Sequence, residues 1–413
     1  MSRELVLVAA VLLASQGGVW AQPAPTQQPS APSVLTEIDR IIRDAFWDPR
    51  LKGADWAGAV TRAASELKLA KTAAERDSAY DRLLGTLSDS HTFRVRAGVL
   101  PDRGWGTAGL RIGRDGDGYA VKGVMPGSSA QRAGFKLGDR VLAVDGKPYG
   151  KERVNFRELF LIFEGVPGSS VEVKWQPLDG GEPRTSRLVR RLEEPGDTLV
   201  WKSARVLSRD GKTYGYARLW GVSAETALAL VDMLLDRNET ARSRAQLSGW
   251  NEIDGFLLDV RANAGGYDPN ILATFLRGQW NAGDYYVRSR DGRHLVPPEY
   301  RPLPVALLVN AATASAGEAL ALKFRRHAIG PIVGEATAGM ASGGADARKL
   351  SDGSTLWLTA RAIEDVEGRS YEGEGVPPDV AAPDRPPAAP GEEEAIVEAA
   401  LRALADPKRG GVR

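Results

Sequence analysis

Ser315 stands where a serine can act as a nucleophile, between a predicted strand and a predicted helix. The stretch NAATASAGE at residues 310–318 follows the apolar run PVALLV at residues 304–309. At such a turn the hydroxyl lies beside the first N–H groups of the helix, here that of Ala316, where partial positive charge gathers. Nucleophilic acyl transfer uses this arrangement. The same position is also typical of a helix N-cap, which is a purely structural role.

Two glycines, Gly265 and Gly266, follow another apolar run at residues 255–260. Glycine adopts positive φ angles without strain and lets the backbone approach a ligand closely. The N–H groups of this turn could therefore join that of Ala316 in stabilising an oxyanion. Taken alone, the sequence DVRANAGG is equally typical of an ordinary loop that ends a strand.

The composition of the 413-residue chain excludes several kinds of catalyst. There are no cysteines, which rules out thiol nucleophiles, disulfide bonds and cysteine-ligated zinc. The three histidines, His91, His294 and His327, are too few for a multi-histidine metal site, and we expect neither metal nor cofactor. His294 lies in a predicted polar turn and His327 at a predicted helix end, so we interpret both as structural. The net charge of +1 indicates no general attraction to nucleic acid.

The N-terminal segment has the pattern of a secretory signal. Arg3 precedes an apolar run at residues 5–14 that is too short to span a bilayer, and small residues up to Ala21 match a signal peptidase site. We predict a signal peptide at residues 1–21 and a periplasmic or secreted mature protein. Because an acidic residue offsets Arg3, an uncleaved anchor is the alternative. Residues 22–33 are rich in Pro, Gln and Ser, and predict a flexible lead-in.

Residues 34–103 are predicted to form a helical subdomain. Apolar residues at three- and four-residue steps, such as Ile38 and Ile42, give one buried stripe on the first helix. Similar patterns predict a second helix at residues 56–69 and a third at residues 73–86.

Residues 104–191 change to short strands broken by glycine, aspartate and proline, which predicts a small β-rich domain. Asp145 and Gly146 form a tight-turn pair after one of these strands. The segment resembles a PDZ domain, in which a carboxylate-binding loop offers backbone N–H groups to the end of a peptide, and a neighbouring strand edge pairs with that peptide. The residues that match this loop, and that we expect to bind substrate, are Gly109, Leu110, Arg111 and Ile112.

Residues 192–383 alternate strands and helices. The apolar runs at residues 255–260 and 304–309, bounded by Gly or Pro, are typical of strands covered on both faces of a parallel sheet. Further elements are predicted at residues 214–219, 224–235, 316–326 and 332–334. Residues 384–413 form a predicted C-terminal tail, whose short helix at residues 392–404 we expect to pack on the outside.

Four segments, in this order and preceded by the PDZ-like region, resemble the C-terminal processing (tail-specific) and tricorn-core serine peptidases. They are DVRANAGG at residues 259–266, NAATASAGEAL at 310–320, GEATAG at 334–339 and EGEGVPPD at 372–379. The helical segment before the PDZ-like region is similar too, so the resemblance covers nearly the whole mature chain. It implies an α/β core of the ClpP/crotonase type, built from parallel sheets and helices.

The residue that follows GEATAG departs from one branch of this family. The tail-specific branch has a lysine general base there, whereas this chain has Met340, whose thioether cannot accept a proton near neutral pH. The tricorn-like branch uses a histidine placed before the PDZ domain, and the resemblance gives that role to His91. It also implies that Ser90 orients the imidazole and that Glu372, or alternatively Glu374, completes the charge network.

The resemblance thus implies an exported serine endopeptidase of the Ser-His-Glu type that acts on protein or peptide substrates. Ser315 would attack a peptide carbonyl while His91 removes its proton, and N–H groups of Ala316 and of Gly265 or Gly266 would hold the oxyanion. We expect no nucleic acid partner and no membrane span in the mature chain, and self-association into a homo-oligomer is left open. The alternative is a catalytically inactive peptide- or ligand-binding protein on the same fold.

Overall fold

The structure is a computed structural model that describes residues 31–99, 105–192, 194, 196–234, 250–266, 285–289, 292–296, 303–365, 367–387 and 393–405. Its helices are α1 (Ala31–Ala45), α2 (Trp56–Leu69), α3 (Ala73–Gly85), α4 (Ser129–Arg132), α5 (Phe156–Leu159), α6 (Gly196–Ser203), α7 (Ala224–Leu234), α8 (Ala316–Arg326) and α9 (Ala395–Ala405). Its strands are β1 (Phe93–Val95), β2 (Gly106–Thr107), β3 (Leu110–Asp115), β4 (Gly118–Val124), β5 (Arg140–Val144), β6 (Lys147–Pro148), β7 (Glu164–Gly165), β8 (Ser170–Gln176), β9 (Arg184–Val189), β10 (Arg191–Leu192), β11 (Arg205–Arg209), β12 (Lys212–Arg218), β13 (Gly255–Asp259), β14 (Tyr285–Ser289), β15 (Gly292–Val296), β16 (Val305–Val309), β17 (Ile332–Gly334), β18 (Ala345–Lys349), β19 (Thr355–Thr359) and β20 (Val380–Ala381).

Helices α1 to α3 form the N-terminal subdomain. Apolar side chains from all three, including Ile38, Trp56 and Leu83, are buried together. Helix α1 begins at Ala31, inside the predicted flexible lead-in, so that part of the prediction is wrong. The reason is that proline is tolerated in the first turn of a helix, where its missing N–H would have had no helical acceptor. The signal peptide predicted at residues 1–21 lies outside the described residues.

The PDZ-like region contains an antiparallel sheet in the order β3-β4-β5-β8-β9. Side chains such as Val121, Val141 and Trp175 are buried in its core. The tight turn predicted at Asp145 and Gly146 joins β5 to β6, and both residues have positive φ, 46° and 78°. This conformation suits a two-residue hairpin, for which Asp-Gly is a favoured sequence.

The remaining α/β core is built on a six-stranded sheet in the order β11-β12-β13-β16-β17-β20. Its strands pair in parallel from β12 to β20, and β11 is added antiparallel at one edge. Alternate side chains of the buried strand β16 point to opposite faces, so Leu307 joins the apolar layer that contains α7 and α8, whereas Leu308 joins the layer that contains α9. This arrangement confirms the α/β core predicted from the apolar runs.

Helix α9 corrects the prediction of a tail packed on the outside. Its residues Ile396, Val397, Ala400 and Leu401 are buried against the central sheet and form one of its two covering layers. Their three- and four-residue spacing is the pattern of a helix with one buried face.

A small antiparallel sheet, in the order β1-β19-β18, joins the N-terminal subdomain to the core. Phe93 pairs with Trp357, and Ala345 pairs with Thr359. The sheet therefore holds the loop before β1 next to the chain that enters β18. His294 lies within β15 rather than in the predicted turn. None of the helices in the described ranges is long and apolar enough to cross a membrane.

Candidate active site

Three loops meet at the carboxyl edge of the parallel sheet. They follow β13, β16 and β17, and they carry residues 260–266, 310–315 and 335–344. Because these strands are neighbours in the sheet, the loops that leave their carboxyl ends lie side by side. This edge is where open α/β sheets bind ligands.

Ser315 lies in the turn between β16 and α8. Its backbone angles, φ 54° and ψ −122°, are outside the regions that non-glycine residues normally occupy. Its N–H lies within reach of two acceptors, the Met340 carbonyl oxygen at 3.1 Å and Glu318 Oε2 at 3.2 Å. The Ser315 carbonyl oxygen accepts the N–H of Glu318, so this backbone atom provides an acceptor for the first turn of α8. The hydroxyl instead faces His91.

His91 lies in the loop before β1, and its side chain contacts Ser315 in the turn between β16 and α8. Its Nε2 lies 3.1 Å from Ser315 Oγ. Asp89 shapes this loop, because Asp89 Oδ1 accepts the His91 N–H at 3.1 Å and also the hydroxyls of Thr92 at 2.8 Å and Thr359 at 2.6 Å. His91 is buried by this packing and exposes only 6% of its surface.

The PDZ-like region contributes directly to the surroundings of His91. The ring of Phe156, at the start of α5, stacks on the imidazole with centroids 4.7 Å apart and an interplanar angle of 26°. The Phe156 N–H donates to the carbonyl oxygen of Ser90 at 2.9 Å. The loop before β1 and the PDZ-like region are therefore joined by a ring contact and a backbone hydrogen bond.

Behind the imidazole, two serine hydroxyls connect His91 to a carboxylate. His91 Nδ1 lies 2.9 Å from Ser90 Oγ and 3.0 Å from Ser342 Oγ. Ser90 Oγ donates to Glu372 Oε2 at 3.1 Å, and the Ser90 N–H donates to Glu372 Oε1 at 2.8 Å. Glu372 Oε2 also accepts the Ser342 N–H at 2.7 Å. The structure thus brings Ser315, His91, Ser90 and Glu372 together.

Glu374, the alternative to Glu372, points elsewhere. Its side chain is 66% exposed and pairs with Arg369 at 2.9 Å on the surface. Of the two glutamates, only Glu372 contacts the histidine loop in the described structure.

Gly265 lies against Ser315. A Cβ atom at this position would be 2.5 Å from Ser315 Cβ and 3.0 Å from Ser315 Oγ, and φ is +90°. Its N–H, which we considered as an oxyanion donor, donates to Asn263 Oδ1 at 2.8 Å. A glycine is therefore needed at position 265 so that the backbone can lie this close to Ser315. The Gly265 N–H already has an acceptor in Asn263. Gly266 comes next in the chain and forms a bridge with Val222.

Met340 and Glu318 both contact the backbone N–H of Ser315. The Met340 side chain is buried in the same apolar cluster as Ala314, which suits a thioether and leaves no charged base there. Glu318 is fully buried and accepts N–H groups from Met340 at 2.8 Å and Gly339 at 2.9 Å. Burial raises the pKa of Glu318 to about 7, against the lowering effect of these hydrogen bonds. Sequence reasoning missed Glu318, although its place three residues after Ser315 is the N3 position of a capping box.

The predicted peptide-binding loop of the PDZ-like region is buried. Leu110 and Ile112 expose none of their surface, and Arg111 forms an ion pair with Glu164 at 2.7 Å. The Gly109 N–H donates to Thr107 Oγ1 at 2.9 Å. The first N–H of the loop and its arginine are thus satisfied internally, and the binding of substrate by residues 109–112 stays a prediction.

Burial lowers the pKa of His91 to about 4, and the Asp89 carboxylate acts in the opposite direction. The imidazole is therefore neutral, and able to accept a proton, at every pH well above 4. The pKa of Glu372 is raised by burial and by the charge of Asp89, while hydrogen bonds from Ser90 and Ser342 lower it.

The pH dependence of serine labelling should reveal this shift. An imidazole with the ordinary pKa of about 6.5 is about 90% protonated at about pH 5.5, whereas His91 should remain largely neutral there. We expect the rate at which a fluorophosphonate labels Ser315 to stay near its plateau at about pH 5.5. Circular dichroism at each pH checks that the protein is folded. A rate that is half-maximal near pH 6.5 would contradict the lowered pKa.

No group of three or more histidine, aspartate or glutamate side chains able to hold a metal ion occurs among the described residues.

Comparisons with known proteins show similarity to peptidases. The model of peptidase family S41 matches residues 213–382, and a PDZ domain model matches residues 121–176. Tricorn protease homolog 1 of Streptomyces coelicolor is 27% identical over 402 residues, which cover 92% of this chain and 36% of that protein. The chloroplastic carboxyl-terminal-processing peptidase 2 of Arabidopsis thaliana is 27% identical over 409 residues, which cover 92% of this chain and 74% of that protein. The chain thus spans only about a third of the length of the tricorn protease homologue.

A solved structure shares the fold. The photosystem II D1 C-terminal processing protease matches with a TM-score of 0.55 and 22% identity, over 92% of this chain and 98% of that one. Together, the comparisons show that residues 213–382 match peptidase family S41 and residues 121–176 match a PDZ domain, and that most of the chain is similar to C-terminal processing peptidases and tricorn protease homologues.

Proposed function

We propose that this chain is a serine endopeptidase of the Ser-His-Glu type, with Ser315 as nucleophile and His91 as general base. The observation that carries the proposal is the 3.1 Å distance from Ser315 Oγ to His91 Nε2, in a turn whose strained backbone presents the hydroxyl. A nucleophile and a base within hydrogen-bond reach, with a third group orienting the base, are the signature of covalent acyl transfer.

In the acylation step, His91 Nε2 takes the proton from Ser315 Oγ as this oxygen bonds to the peptide carbonyl carbon. The resulting imidazolium then gives that proton to the departing amine, and an acyl-enzyme remains. In deacylation His91 takes a proton from water, whose oxygen attacks the ester carbonyl. The bond to Ser315 Oγ then breaks, Ser315 Oγ takes that proton back from the imidazolium, and the acid leaves. Because Nε2 must accept the Ser315 proton, Nδ1 carries a proton throughout and must donate it to a neighbour.

The N–H of Ala316, the first residue of α8, is the best-placed donor for the oxyanion, and the positive end of the helix dipole acts there too. Since the Gly265 N–H is engaged with Asn263, Gly266 is our candidate for the second donor. The absent side chain at Gly265 leaves the space in which the carbonyl approaches Ser315.

The substrates we propose are proteins or peptides, in keeping with the presence of a PDZ domain. Peptide binding by that domain would use the backbone of residues 109–112, because the side chains of Leu110 and Ile112 are fully buried. We further propose that the protein is exported, on the basis of the apolar segment at residues 5–14. N-terminal sequencing of the protein recovered from the cell envelope or medium should then begin at Gln22.

Covalent labelling tests the proposed function. A fluorophosphonate should add once to the protein, and mass spectrometry of peptides should locate the adduct on Ser315. The Ser315→Ala variant should show no adduct, while Ser351→Ala, which changes an exposed serine, should label normally. Labelling should also block hydrolysis of an unstructured protein substrate. Peptide binding without any adduct or hydrolysis would favour the catalytically inactive alternative.

A further inference from the structure

Ser342 lies at the centre of the hydrogen-bond network behind His91, although its sequence position gave no indication of this. Its Oγ is 3.0 Å from His91 Nδ1 and 2.9 Å from Ser90 Oγ. Its N–H donates to Glu372 Oε2 at 2.7 Å, so the carboxylate that binds Ser90 also fixes Ser342. The residue is 5% exposed, and bulk water therefore cannot easily take its place.

Counting protons gives the directions of the hydrogen bonds around Ser342 Oγ. Ser90 Oγ must donate to Glu372 Oε2, because an ionised carboxylate can only accept. When His91 Nδ1 carries its proton, the Ser342 hydroxyl has only Ser90 Oγ left among its neighbours to receive its own proton. A lone pair of Ser342 Oγ, 3.0 Å from Nδ1, is then free to face the Nδ1–H group, beside Ser90 Oγ at 2.9 Å, so the two hydroxyls share this donor.

On this basis, and resting on the proposed function, we propose that Ser342 is a positioning residue that accepts the His91 Nδ1–H together with Ser90 Oγ and donates its own proton to Ser90 Oγ, which in turn donates to Glu372. It holds the imidazole in the tautomer whose Nε2 can take the Ser315 proton. It also stabilises the imidazolium that forms when Ser315 attacks, since a hydrogen bond to a charged donor is stronger than one to a neutral donor.

Two independent readouts test this role. With the three histidines labelled with ¹⁵N, the His91 signals can be assigned by their loss in His91→Ala. We expect the neutral imidazole of the wild type to carry its proton on Nδ1, and Ser342→Ala to raise the fraction protonated on Nε2. The signals of His327 should not move. The rate of fluorophosphonate labelling should fall about ten- to a hundredfold in Ser342→Ala, as expected for loss of one charge-assisted hydrogen bond.

Two further variants separate positioning from packing. Ser342→Cys has nearly the same shape but is a weaker acceptor, so it should fold like the wild type and still show the tautomer shift and a slower rate. Ser342→Thr keeps the hydroxyl and should retain most of the wild-type tautomer fraction of His91 and most of the wild-type labelling rate. In the double variant with Ser90→Ala, the loss of rate should differ from the product of the two single losses, because the hydroxyls act in one network.

The proposal is overturned if Ser342→Ala or Ser342→Cys labels at the wild-type rate, or if the tautomer fractions stay unchanged in both. It is also overturned if Ser342→Thr is as slow as Ser342→Ala, since the hydroxyl would then not be the relevant group. If the wild type itself fails to label, the proposed function fails, but the tautomer measurement still tests Ser342 because it needs no activity.

Discussion

Replacing His91 with alanine should lower the rate of Ser315 acylation by about 10⁴-fold or more while the protein remains folded. The Ser315 hydroxyl has no other base within hydrogen-bond reach among the described residues, and Met340 stands where one branch of the family has a lysine. Removal of the base from a serine triad typically costs this much. The measurement is the second-order rate constant for labelling by a fluorophosphonate at about pH 8.

His327→Ala is the matched control for this experiment. His327 lies at the end of α8, half-buried and remote from the nucleophile turn at the start of that helix, so its loss should leave the labelling rate unchanged. Thermal unfolding of each variant reports on stability separately. A His91→Ala protein that labels as fast as the wild type would show that another group activates Ser315.

Gly265→Ala should lower the labelling rate by about 10²- to 10³-fold. The new methyl group would meet Ser315 Cβ at 2.5 Å and the Ala316 nitrogen at 3.0 Å, so either the nucleophile or the oxyanion donor must shift. Displacements of about 1 Å, or loss of one oxyanion donor, cost rates of this order. The positive φ of +90° adds strain of about 1–3 kcal/mol to the folded state.

Gly211→Ala separates this contact from backbone strain. Gly211 also has a positive φ, +74°, but a Cβ there would meet nothing within 4 Å. It lies in the turn between β11 and β12, so Gly211→Ala should lose stability and keep its labelling rate. Equal losses of rate in the two variants would mean that strain, and not crowding of Ser315, explains the effect.

Much of the fold follows from patterns that are local in sequence. Helix α2 at residues 56–69 and α8 at residues 316–326 begin and end as predicted, because periodic apolar residues and nearby capping groups define them. The near-continuous apolar runs predicted parallel strands for the same reason. The three- and four-residue spacing of apolar residues in α9 is likewise a local signal of a buried face, and this face covers the central sheet.

The parts of the site that escaped prediction depend on contacts between distant segments. Ser342 is 252 residues from Ser90, and nothing in its neighbours in sequence distinguishes it from an ordinary loop serine. The order of the four motifs singled out Ser315, but it could not show which hydroxyls lie behind the imidazole. One local signal was missed, because Asn263 stands two residues before Gly265 and asparagine often binds the backbone N–H two residues on.

His91 and Ser315 are separated by 224 residues in the chain, with the whole PDZ domain between them. During synthesis on the ribosome, His91 emerges long before Ser315, and Glu372 follows later still. A nascent chain that ends before Glu372 lacks part of the network that orients the base. Under the proposed mechanism, hydrolytic activity therefore arises only after the segment that carries Glu372 has been made, so the order of these residues along the chain protects the unfinished protein and its surroundings from premature hydrolysis.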